Sequence, residues 1–120
     1  MSLVPGEDEV SEAEWERMVE EDPDTLFALV GGGNLRISDL TFAAEILGRS
    51  KDTARVLLTL IPLLASPSPL VREGAVLGLA HHPTTEVEWL LRRLISSEQC
   101  DPVRRVMKDV LEEIAENRQP

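Results

Sequence analysis

The sequence predicts an all-α fold: a short right-handed α-solenoid of about three stacked helical hairpins, preceded by one N-terminal helix. Three observations point there. Apolar residues recur at helical spacing from Trp15 to Ile114, and no segment alternates apolar and polar as a half-buried strand must. The apolar residues are mostly Leu, Val, Ile and Ala, because the chain holds two Trp, two Phe and no Tyr. A helix–turn–helix pattern also returns at a period of about 32 residues.

The elements follow in chain order. Ser11 is placed to cap a first helix, with Glu14 three residues on, and Trp15, Met18 and Val19 form its narrow apolar stripe. The residues before it, about the first eight, read as a disordered acidic lead. Asp22-Pro23 ends this helix and opens the next, Thr25 to Val30, which stops at Gly31-Gly32-Gly33. Ser38 or Asp39 is expected to cap a helix running from Leu40 to Leu47. Asp52 caps a longer one ending near Ala65, and Pro62 inside it predicts a bend between Leu58 and Pro62, since proline removes a backbone donor. Ser68 caps the segment through Ala80, Thr84 or Thr85 begins a helix through Ile95, and Asp101 is expected to cap the last, to about Asn117.

Sliding the sequence on itself shows the repeat. A shift of 32 places Val71-Arg72 on Val103-Arg104, Ala75 on Met107 and Leu79 on Leu111. A backward shift of 31 places Val71 on Leu40 and Ala75 on Ala44. Each second helix follows a shorter apolar one, so the unit is a hairpin at about residues 23–50, 51–83 and 84–117. Gly74 and Gly78 lie four apart on one helix face, where they admit a closely packed neighbour at a cost of about 1 kcal/mol each in helix propensity. The last helix is amphipathic, with Val103, Val106, Met107, Val110, Leu111 and Ile114 on one side, the pattern of a terminal cap.

Pro69-Leu-Val-Arg-Glu-Gly-Ala-Val-Leu-Gly-Leu79 and Asp101-Pro-Val-Arg-Arg-Val-Met-Lys-Asp-Val-Leu111 resemble the second helix of HEAT repeats. The short period is most similar to the HEAT-like repeats of phycobilisome lyase subunits, and the resemblance spans about residues 23–117. It implies a HEAT-like repeat domain over 23–120 behind an acidic arm and helix at 1–22. It also implies structural roles for Arg72 and Arg104, bonding carbonyls or an acid in the adjacent turn. The first repeat departs from the pattern, with Thr41 at the arginine position.

Charge is uneven along the chain. The net charge is -10, and residues 1–25 hold ten acids against one base, Arg17, leaving the remainder nearly balanced. An acidic arm repels nucleic acid and anionic lipid. No apolar run reaches the roughly 18 residues of a membrane span, and no signal-peptide pattern opens the chain. The single Cys100 has no intramolecular partner, which points to a reducing, cytoplasmic setting.

Little in the sequence points to catalysis. His81 and His82 diverge by about 100° on a helix and do not share a metal easily. His82, before Pro83, reads as a helix terminator. Cys100 lacks zinc spacing, and Gly31-Gly32-Gly33-Asn34 lacks the Lys-Ser/Thr of a phosphate cradle. No catalytic, cofactor or metal residue is expected. The expected function is therefore a non-catalytic protein–protein interaction or scaffold module whose partner is another protein or peptide. Trp15, Arg92, Arg93, Arg105 and Lys108 are the candidate partner-binding residues, and Trp89 is expected in the core. A subunit of a lyase-like enzyme complex is one alternative by resemblance. A nucleic-acid binder using the basic cluster is another, disfavoured by the acidic charge. Trp15 carries two opposed readings: buried under a folded-back first helix, or displayed as an interface anchor.

Overall fold

The structure, a computed structural model, describes residues 11–118. These form seven α-helices and one 3-10 helix, with no strand among the described residues: α1 (Glu12–Glu21), α2 (Pro23–Gly31), α3 (Ile37–Leu47), α4 (Thr53–Leu60), the 3-10 helix (Ile61–Ala65), α5 (Pro69–Leu79), α6 (Thr85–Ile95) and α7 (Asp101–Asn117). The all-α expectation holds. The disordered lead expected for the first eight residues lies outside the described residues.

Most helices begin where a side chain can satisfy an orphan N–H. Ser11 Oγ accepts from Glu14 N at 3.2 Å, and Asp52 Oδ1 accepts from Arg55 N at 3.3 Å. Ser68 Oγ accepts from Val71 N at 3.4 Å and Thr84 Oγ1 from Val87 N at 3.1 Å. Asp22 serves two helices: its N–H closes α1 on Met18 O, and its carboxylate accepts from Thr25 N at the start of α2. Two expected caps are corrected. Arg36, not Ser38 or Asp39, precedes α3, and Asp39 lies inside the first turn, where its carboxylate accepts from Arg36 Nε at 3.4 Å. A carboxylate within the first turn still complements the helix dipole. Asp101 likewise lies inside α7, behind Cys100 at the cap position, and pairs with Arg104.

The single helix expected from Asp52 to near Ala65 is divided instead: Pro62 has no N–H to offer Leu58 O, and α4 gives way to the 3-10 helix at Ile61.

One hydrophobic core runs from Trp15 to Ile114. α5 packs between α3 and α7, α2 packs on α4, and α6 packs on α7. The α3–α5 contact is the tightest in the fold. A Cβ on Gly74 would lie 2.5 Å from Thr41 O, and one on Gly78 would lie 2.5 Å from Ala44 O. Gly48 answers from the C-terminal cap of α3, where a Cβ would fall on Gly78 O. Here the missing side chains set the distance between two helices. α1 folds back on α2 and α3, and Trp15 is 1% exposed. Trp15 therefore belongs to the core and is not displayed as a partner anchor. Its Nε1–H is buried without an acceptor.

Candidate interaction surface

Arg72 and Arg104 each hold the turn that precedes their own helix. Arg72 makes a bidentate pair with Glu98, Nε to Oε1 at 2.9 Å and Nη2 to Oε2 at 2.8 Å, and its Nη1 donates to Ser66 O at 2.8 Å. Arg104 Nη1 donates to Glu98 O at 2.8 Å. Both arginines thus reach a carbonyl six residues upstream, in the turn before their own helix. At the corresponding place in the first hairpin, the Thr41 hydroxyl donates to Ile37 O in its own helix. Glu98 Oε2 also accepts from Cys100 N at 3.0 Å, so a single carboxylate ties the α6–α7 turn to α5. The Arg72 hydrogen bonds hold the Glu98 carboxyl below its ordinary range, against the opposing effect of burial. Arg72 is raised in turn, chiefly by Glu98.

A second polar tie joins the first two hairpins. His82 is buried, with Nε2 2.9 Å from Gly48 O and Nδ1 2.8 Å from Thr53 Oγ1. A carbonyl only accepts, so Nε2 carries the proton towards Gly48, and in the neutral ring Nδ1 accepts from the Thr53 hydroxyl. His82 is more than a helix terminator: it links the α3–α4 turn to the end of α5. His81, its neighbour, is exposed. No group of three or more metal-ligating side chains occurs among the described residues, and no helix among them is long and apolar enough to cross a membrane.

In the candidate basic cluster, Arg92, Arg93 and Arg104 are engaged within the chain. Arg92 pairs with Glu88 at 3.1 Å, and Arg118 also pairs with that carboxylate. Glu88 is held below its ordinary carboxyl range, first by Arg92 and, against desolvation, by Arg118. Arg104 is engaged with Glu98 O and Asp101. Arg93 lies over the Trp89 ring, 4.8 Å from its centroid. Arg105 and Lys108 are exposed on α7 and make no ion pair among the described residues.

Trp89 itself is the main correction. It was expected in the core and is 56% exposed. The reason is angular. Val87 and Leu91 are four apart and buried, whereas Trp89 sits about 200° from Val87 around the helix. Beside α6, Ala54, Leu57, Leu58, Ile61, Pro62 and Glu86 line an open groove of about 390 Å³. Leu58 on its wall is 78% exposed, the highest value of any large apolar residue described. Comparison with protein-family models, with curated proteins and with solved structures found no match. The function therefore has to be argued from this surface.

Proposed function

We propose that this chain is a non-catalytic protein-interaction module, a short right-handed stack of three HEAT-like hairpins that binds another protein through its α4–α6 face. The repeat reading is supported by the shared bond of Arg72 and Arg104 to carbonyls six residues upstream, and by α5 packing between α3 and α7. The interaction reading is carried by the outward display of Leu58 on the wall of an apolar groove and of Trp89 on α6, one turn beyond the groove-lining Glu86. Large apolar side chains grouped on a surface mark interaction sites, and tryptophan and arginine are the types most enriched at interface hot spots. A reducing, cytoplasmic setting suits the lone Cys100.

Affinity capture from a native lysate tests this reading, using the wild type, Leu58→Glu, Trp89→Ala and Arg105→Ala. The first two substitutions are expected to abolish capture of a specific protein, and Arg105→Ala to leave it intact. Equal capture by all four would overturn the assignment of this face.

A further inference from the structure

We infer that the occupant of the α4–α6 face is a second copy of this chain, docked about a two-fold axis crossing α6 between Trp89 and Leu90. The inference rests on the interaction reading of this face and adds the identity of the partner. Glu86, Trp89 and Arg93 stand at i, i+3 and i+7, within about 60° of one another around α6. All three are exposed. Their neighbours Glu88 and Arg92 neutralise each other along the same helix, with Arg118 joining them. Glu86 and Arg93 make no ion pair among the described residues, although they carry opposite charges on one stripe.

That spacing is self-complementary. When two α6 helices cross antiparallel about this centre, residue 86 of each faces residue 93 of the other, and residue 89 faces residue 90. A two-fold axis forms every such contact twice. The groove lies at the Glu86 end of α6, so the same crossing brings the other copy's Arg93 towards its mouth. Among the described residues Glu86 is the only charged one lining the groove, and it supplies the acceptor for the arriving guanidinium. A foreign partner would need the same Glu–Trp–Arg register in reverse; a second copy has it by construction.

The net charge of -10 is concentrated in residues 1–25, and α1, which carries five of those acids, packs on α2 and α3. The stripe itself brings one acid and one base.

Sedimentation equilibrium on the full chain tests the inference, with the wild type, Glu86→Arg, Arg93→Glu and the double exchange, each checked for an unchanged helical spectrum. The wild type is expected to dimerise with a Kd in the micromolar range, and each single reversal to weaken this by roughly tenfold or more, since it sets like charges opposite each other at both sites. The double exchange restores the pairing and is expected to recover most of the affinity. A wild type that stays monomeric to about 100 µM, or a dimer indifferent to the single reversals, overturns the inference. If the monomer still captures a lysate protein in a Trp89-dependent way, the second copy is excluded as occupant and the interaction reading stands.

Discussion

Replacing Arg72 with alanine should destabilise the fold far more than replacing Arg105. The Arg72 side chain donates three hydrogen bonds, two of them to a carboxylate whose side chain is 5% exposed. Removing one partner of a buried ion pair costs about 3–5 kcal/mol, because the other charge is left desolvated. Arg72 keeps some solvent contact, and Glu98 retains the Cys100 N–H, so the cost falls below that range, to about 2–3 kcal/mol. For a chain of this size that corresponds to a fall in Tm of roughly 8–12 °C. Arg105 is exposed and makes no ion pair among the described residues, so its replacement should change stability by no more than about 0.5 kcal/mol. The pH dependence carries a second signature. Glu98 titrates lower in the folded state than in the unfolded chain, so its contribution is complete above the unfolded carboxyl pKa, about 4.3, and is lost as pH falls through the lower folded value. The stability gap between wild type and Arg72→Ala should therefore narrow in acid. Thermal melts followed by circular dichroism at neutral pH and near pH 3 measure both effects. Equal melting temperatures for Arg72→Ala and Arg105→Ala at neutral pH would refute the structural role assigned to Arg72.

Three further predictions concern packing. Gly74→Ala and Gly78→Ala should each destabilise, since their methyls would meet α3 carbonyl oxygens at 2.5 Å; Gly31→Ala would make only an ordinary van der Waals contact, with Thr59 Cγ2 at 3.9 Å, and should be neutral or stabilising by up to about 1 kcal/mol. Urea titrations read the sign directly. Trp15→Phe removes a buried N–H that lacks an acceptor and should cost less than Trp15→Ala, for which roughly 3–5 kcal/mol is expected; in a Trp89→Phe background, Trp15 emission should be blue-shifted and poorly quenched by acrylamide. His82→Ala leaves Gly48 O and Thr53 Oγ1 without their partner and should lower stability by about 1–3 kcal/mol in the same titration, whereas His81→Ala should have little effect.

Features decided by neighbours along the chain were legible in the sequence. Ser11, Asp52, Ser68 and Thr84 cap helices because capping needs only a short polar side chain three residues before a free N–H. Pro62 perturbs its helix for an equally local reason. Gly74 and Gly78 were readable as a contact face, but their partner in α3 was not, because Thr41 and Ala44 carry no mark of what they touch. Ser38 and Asp39 misled because a polar residue near a helix start resembles a cap whether it stands at the cap or one turn inside. Trp89 misled because apolar character suggested burial, while its angular offset from Val87 put it outside. Glu98 and His82 had no distinguishing local signal. One of many acids becomes the partner of Arg72, and one of two histidines bridges two turns, only after the hairpins pack.

The claim that the α4–α6 face is where this protein meets its partner is tested most directly by a photo-activated cross-linker placed at position 58 and, as a control, at the exposed position 112 on α7. Irradiation in a native lysate, followed by mass mapping, should give discrete protein adducts at position 58 that are lost with Trp89→Ala, and none of them at position 112. The same adducts at both positions, or none at position 58, would contradict it.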